Sequence, residues 1–395
     1  MNEKKVNLIL YLSTISVMIF LISGCASMIY KSIPLKDVAK VSGKYFVGTQ
    51  NFQLVDSTRS MWFTDDIKGF RTLSVKMWYP ADENSLSERA PYADKHQLIA
   101  KALSEGLGVP EALMSRAGAV RCNSWLNTDI SMGNFPIVLY SHGHQSLKIA
   151  NTFQAEEIAS NGYIVIAPDH TYDAALTVIN EDKIIYTRSK LPNNDEEALE
   201  PGMIKRVKKQ LNIRVEDVRF ILDEMVERFS KDEQFNKSVD FENIGIFGHS
   251  FGGCTAIMAA NNDKRIDAIL GLDAYFLPLP QYIIDQDINK PFVHIGQVSW
   301  GDSDNYELMK NFGSNNTEKS YHFSVEGAKH NDFTDFSQFT KLTRKFGSGK
   351  VPQKEIRNIM NDIMLQFFNY HLKKAGSFNP NQFENKFKRV KTYIH

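Results

Sequence analysis

Cysteine is scarce in this chain, with three in 395 residues, Cys25, Cys122 and Cys254. That is too few for a disulfide framework, so the fold has to rest on a packed core. An excess of one charge is lacking as well, because 46 Lys and Arg balance 46 Asp and Glu. A chain without polyelectrolyte character is poorly suited to nucleic acid as its main partner. There is no internal repeat, and no uncharged apolar run of the roughly 20 residues that a membrane-spanning helix needs. What is present is a composition 43% hydrophobic, which can bury a substantial core.

The apolar run that comes nearest to a span, LILYLSTISVMIFLI, follows the basic start MNEKK and precedes SGCAS. Basic, apolar and small residues in that order have the layout of a secretory signal. Within it Ile22–Cys25, ISGC, resembles a bacterial lipoprotein lipobox, which implies cleavage before Cys25 and diacylglyceryl attachment to its thiol. The expectation is a signal peptide over residues 1–24, a polar tether over 25–42, and a chain exported and lipid-anchored at the cell envelope.

Beyond the tether, KYFVGTQNFQLVD and FRTLSVKMWYPAD alternate partly and read as a hairpin that opens a sheet. Residues 84–130 look helical or loop-like, without a strand run, and read as an insertion. From residue 135 buried apolar runs alternate with amphipathic segments: FPIVLYSHG, YIVIAPDH, ENIGIFG, IDAILGLD, KPFVHIGQV and KSYHFSVEG are the strands. A long helix between them carries Ile213, Val218, Ile221, Leu222 and Met225 on one face, and EIRNIMNDIMLQFFNYHLK closes the domain. Such alternation predicts an α/β class with a mostly parallel central sheet covered on both faces, spanning 43–375. The charged stretch 177–210 reads as a second insertion, and 376–395 as a tail.

The chemistry centres on GHSFGG. Gly248, Ser250 and Gly252 sit after a strand and before a helix, where the chain turns so sharply that only glycine fits beside the serine. The following GGCTAIMAA is small enough to pack against the sheet, with Cys254 as a free, buried thiol. A serine hydroxyl needs an imidazole to take its proton and a carboxylate to orient that imidazole. His330, in EGAKHNDF just past the strand YHFSV, suits the base. His294 and His322 fall inside strands and read as satisfied core histidines, while His371 and His395 read as surface residues. Two acids end suitable strands, Asp273 after AILGL and Asp302 after HIGQVSWG. Asp263 and Asp267 lie at the wrong end of the sheet.

Taken together, GHSFGG, LDAYFLPL, KHNDFTDF and the strand end YSHG resemble the platelet-activating factor acetylhydrolase family of serine esterases, plasma type, over about residues 45–372. The resemblance implies an α/β-hydrolase fold and places the acid on the strand after the elbow helix, which matches Asp273. It implies an oxyanion hole built from the backbone amides of Phe251 and His144, the latter a histidine where an apolar residue is expected. The expected activity is two-step hydrolysis of carboxylic esters without cofactor or metal, on short-chain acyl esters or platelet-activating-factor-type phospholipids. A general carboxylesterase, a lipase or a cutinase-like polyester hydrolase would use the same triad. Two further readings differ in kind. His142, His144 and His170, in HGH and DH, could ligate a metal. Alternatively, the chain could be an inert scaffold that binds a partner at the surface.

Overall fold

The computed structural model describes residues 35, 38–107, 111–180, 183–192, 197–198, 200–301 and 304–395. The signal, the lipobox and Cys25 lie outside the described residues, as does Asp302. Among the described residues two compact units are distinguished, 38–90 with 121–395, and 91–120.

The larger unit opens with β1 (Phe46–Ser60) and β2 (Phe70–Ala81), the expected antiparallel hairpin. A three-residue strand, β3 (Arg89–Pro91), precedes the smaller unit, and β4 (Arg121–Leu126) follows it. Then come β5 (Phe135–Ser141), helix α3 (Thr152–Ser160), β6 (Ile164–Asp169) and a separate hairpin of β7 (Leu176–Ile179) and β8 (Lys183–Tyr186). Helix α4 (Pro201–Lys231) and the short α5 (Glu233–Asn236) lead into β9 (Val239–His249) and α6 (Phe251–Asn262). After these come β10 (Ile266–Leu272), α7 (Gln281–Asp285), β11 (Phe292–Gly296), α8 (Asn305–Asn315) and β12 (Ser320–Val325). The chain ends in α9 (Gln353–His371), α10 (Asn381–Lys386) and β13 (Val390–Ile394). In the smaller unit α1 (His96–Leu107) packs with α2 (Glu111–Gly118). Its base is closed by hydrogen bonds from Tyr92 N to Val120 O at 2.8 Å and from Ala93 N to Gly118 O at 2.9 Å.

One sheet carries the order β13-β12-β11-β10-β9-β5-β6-β2-β1-β4-β3. From β12 to β6 every pair is parallel, and the antiparallel pairs lie towards the edges. Period-two alternation divides the buried strand residues between two cores. Ile137, Leu139, Ile164, Ile166, Ile244 and Ile246 face Leu211, Val218 and Ile221 of α4 and Ile257 of α6. Val138, Tyr140, Val165 and Phe247 face Ile158 of α3 and Ile359, Ile363 and Phe367 of α9. Helices on both faces leave the carboxyl ends of the parallel strands as the place where loops converge.

Three expectations are corrected. Residues 84–130 do contain strands: β4 runs parallel to β1, Val47 opposite Ser124. Its RCNSWL buries Cys122 and Ser124, small or polar residues that give no apolar alternation. The stretch 177–210 is not one charged insertion, since it holds most of the β7–β8 hairpin and the first turns of α4. Finally, 376–395 is no tail. β13 pairs antiparallel with β12 while Phe383, Phe387 and Val390 are buried, so the domain runs nearly to the last residue. An edge strand that buries one residue in five reads as polar, which hid it.

Candidate active site

Ser250 occupies the turn between β9 and α6 with φ +56° and ψ −121°, a left-handed backbone that a residue with a Cβ adopts only under constraint. The constraint is visible on either side. A Cβ at Gly248 would stand 2.1 Å from the Gly252 carbonyl oxygen, and one at Gly252 would stand 1.9 Å from that of Ser141. No side chain fits at either place, so the turn can be as tight as the serine requires. Ser250 N donates to Leu272 O and Tyr275 N donates to Ser250 O, each at 3.0 Å, which ties the elbow to the end of β10.

At that end stands Asp273, fully buried, itself at φ +43°. His330, on the 3-10 turn His330–Phe333 beyond β12, places its Nδ1 2.6 Å from Asp273 Oδ2. A carboxylate only accepts, so Nδ1 carries the proton and Nε2 keeps its lone pair. The imidazole is about one-third exposed while its acid is fully enclosed. Burial pushes the Asp273 carboxyl up. The hydrogen bond and charge of His330 and the Tyr306 hydroxyl outweigh it and hold the group well below the usual carboxylate range. The turn is fixed from beneath: Asp332 accepts from Lys329 N and Gly349 N, Asn151 donates to Phe333 O, and Asp335 N donates to Ala150 O.

The loop after β5 approaches the elbow closely, since a Cβ at Gly143 would lie 3.4 Å from Ser250 Cβ and 2.9 Å from His249 Nδ1. Among the described residues neither the Phe251 nor the His144 amide is taken up by a protein acceptor. Two free amides beside a strained serine can receive a developing oxyanion.

Several contributors were not read from the sequence. Tyr306 Oη donates to Asp273 Oδ1 at 2.6 Å, and Gln297 donates through N at 3.1 Å and Nε2 at 3.0 Å, so four donors hold one carboxylate. No motif marks Tyr306 or Gln297. His249, the variable residue of the elbow, lies 4.5 Å from His330 ring to ring, and its Nε2 donates to His330 O at 3.2 Å. Burial, reinforced by His330, pulls it down to about 3, so it is neutral. Trp300 meets the His330 ring at 80° and 5.0 Å and stacks on Tyr275.

The other histidines sort by their partners. His142 Nε2 accepts from His170 N and its Nδ1 faces Gly143 O, while His170 uses Nδ1 on Asp217 and Nε2 on Ser141 Oγ. All four nitrogens are committed to protein groups, which removes the basis for reading these two rings as metal ligands. His294 and His322 are buried as expected but only partly satisfied. His294 Nε2 accepts from Ala274 N, whereas His294 Nδ1 and His322 Nε2 find no partner among the described residues. His371 and His395 are half-buried, not surface residues, and stand outside this cluster. Cys122 and Cys254 are both buried, and burial pushes the Cys254 thiol well up.

Loops at the carboxyl ends of the parallel strands β9, β10 and β12 thus carry a strained serine, a buried acid and an imidazole oriented by that acid, the groups on which acyl transfer can run. The protein is an α/β-hydrolase of the carboxylic ester hydrolase class, and a solved relative agrees. The ferulic acid esterase of Streptomyces cinnamoneus superposes with a TM-score of 0.68 at 26% identity, covering 87% of this chain and 94% of that one. Within that class the chain belongs to the family of platelet-activating factor acetylhydrolase, isoform II, whose family model matches residues 30–392. It is similar to the platelet-activating factor acetylhydrolases of Gallus gallus and Canis lupus familiaris, 25% identical to each. These matches cover 77% and 90% of this chain and 79% and 81% of theirs. Over a shorter stretch, 35% of this chain and 31% of the relative, it is 28% identical to a probable 1-alkyl-2-acetylglycerophosphocholine esterase of Arthroderma benhamiae.

Proposed function

We propose that this chain hydrolyses the sn-2 ester of phospholipids with a short acyl group, of the platelet-activating factor type, with Ser250 as nucleophile, His330 as base and Asp273 as acid. The observation that carries the reading is the 2.6 Å bond between His330 and the buried Asp273, at strand ends on either side of β11, in a chain matched by its family over residues 30–392. Ser250 Oγ attacks the carbonyl carbon as His330 Nε2 takes its proton. The carbonyl π pair becomes an oxyanion received by the Phe251 and His144 amides. Collapse breaks the bond to the lysophospholipid oxygen, which leaves with the proton from His330. Water then repeats the sequence on the acyl-enzyme and restores Ser250.

The likeness to a ferulic acid esterase supports a second reading, a broader carboxylesterase. Rates on 1-alkyl-2-acetyl- and 2-palmitoyl-glycerophosphocholine, 4-nitrophenyl acetate and methyl ferulate separate the two. The phospholipid reading expects kcat/KM on the 2-acetyl lipid to exceed that on the 2-palmitoyl lipid by at least about tenfold. A preference for methyl ferulate would overturn it, and activity surviving in Ser250→Ala would overturn the nucleophile. We also propose that lipid on Cys25 anchors the enzyme at the outer or plasma membrane surface of the envelope. Cys25→Ala should then move activity from the detergent phase to the aqueous phase on Triton X-114 partition.

A further inference from the structure

We propose that Arg214 is a positioning residue that fixes both amides of the oxyanion hole at once, an inference that rests on the serine esterase reading above. Arg214 belongs to α4, a helix that otherwise turns an apolar face to the sheet, and it is fully buried beside Leu211, Val215 and Val218. A guanidinium taken out of water at that position needs partners, and its partners share one destination. Nη2 donates to the carbonyl of His142 and, at 3.0 Å, to Ser141 Oγ, while Nη1 pairs with Asp173 Oδ1 at 2.6 Å. Asp173 is equally buried, and its own carbonyl accepts from Gln145 N at 3.1 Å. The His142–Gly143 and His144–Gln145 peptide groups, one on each side of the peptide that carries the His144 N–H, are therefore held by the two members of one ion pair. The second amide is reached through a side chain. The Arg214 Cζ lies 4.9 Å from the centroid of the buried Phe251 ring, so the same cation sits on the residue that supplies the other donor.

A buried ion pair kept only for stability would be replaceable by apolar groups at little cost. Here the planar fork divides its hydrogen bonds between the His142 carbonyl and Ser141 Oγ on one nitrogen and the Asp173 carboxylate on the other, which a point charge cannot reproduce. The two roles separate in the assay. Arg214→Lys keeps the charge and loses the fork. On folded protein, kcat for 4-nitrophenyl acetate should fall by about 10²-fold, the usual consequence of losing one oxyanion donor. KM should stay within about threefold, since ground-state binding is untouched.

The deciding readout is an aryl trifluoromethyl ketone, to which Ser250 Oγ adds to give a hemiketal oxyanion, its proton passing to His330. Affinity for the ketone should fall by the same factor as kcat/KM, because both report the oxyanion. The pH at which kcat/KM falls on the acid side should not move, because the Asp273–His330 pair is unaltered. Unchanged kcat in folded Arg214→Lys overturns the inference, as does a loss of kcat with ketone affinity retained. If Arg214→Lys does not fold, Asp173→Asn is held to the same criteria, since it removes the counter-charge without emptying the site. Equal inertness of wild type and Ser250→Ala would instead defeat the esterase reading.

Discussion

At the scale of single residues, Asp273 bears the most. Its two oxygens accept from His330, Tyr306 and, twice, Gln297, and the whole carboxylate is buried. Asp273→Asn has the same shape but turns an NH2 toward donors, so it both orphans one of them and releases the tautomer of His330. Turnover on an aryl ester should fall on the order of 10³ to 10⁴. Tyr306→Phe removes a single donor and leaves the His330 bond in place, so a loss of about tenfold or less is expected. Both are read from kcat. If Asp273→Asn stays active while Asp302→Asn does not, the acid belongs to the other strand end. Ser250 and His330 could be singled out because one sits between a strand and a helix and the other follows a strand, whereas two strand ends offered an acid and only the family resemblance favoured Asp273. Tyr306 and Gln297 could not, since nothing in a tyrosine on a helix or a glutamine after a strand says which carboxylate it will meet. Arg214 was hidden for a different reason: an arginine within an amphipathic helix looks like its solvent side until the neighbouring core is placed.

At the scale of elements, the parallel strands were legible because both faces are covered, so each reads as a continuous apolar run that stops at a glycine or an acid. The edges were not legible, because half-covered strands are short and mixed in character. β13 is the telling case: four of its five residues are partly or fully exposed, yet it closes one edge of the sheet. Deleting residues 376–395 would strip Phe383, Phe387 and Val390 from their buried sites and bare the backbone of β12. At about 1.5–3 kcal/mol for each fully buried apolar side chain, the cost is comparable to the whole stability of an ordinary domain. The truncated chain should be recovered mainly as aggregate, because an unpaired edge strand invites pairing with other chains. Soluble protein with an unchanged urea midpoint would show that β13 is dispensable.

At the scale of the whole molecule, the buried histidines give the protein an acid limit that its catalytic groups alone would not. Burial pulls His170 and His294 to about 4 and His249 to about 3, each neutral in the fold. The same groups titrate near about 6.5 once the chain unfolds. Between those values the unfolded chain binds protons that the folded chain refuses, so stability must rise with pH across the window and fall as pH drops through it. Each such histidine removes about 1.4 kcal/mol per pH unit, and all three act over the same range. The depressed carboxylates Asp217 and Asp273 have the opposite starting point. Their contribution is complete above the unfolded value of about 3.9 and is lost only below it, so the two sets do not overlap until the histidines are nearly spent. Urea unfolding of Ser250→Ala at intervals from pH 7 to pH 4.5 should therefore show a flat region near neutrality and then a steady loss beginning below about pH 6.5. The slope near pH 5 should correspond to an uptake of at least roughly three protons on unfolding, because burial holds His142, His322 and His371 down as well. A free energy of unfolding that stays level from pH 6.5 to pH 5 would mean that these rings are protonated within the fold. The neutral His249 packed against His330 would then have to be redrawn as a cation beside that imidazole.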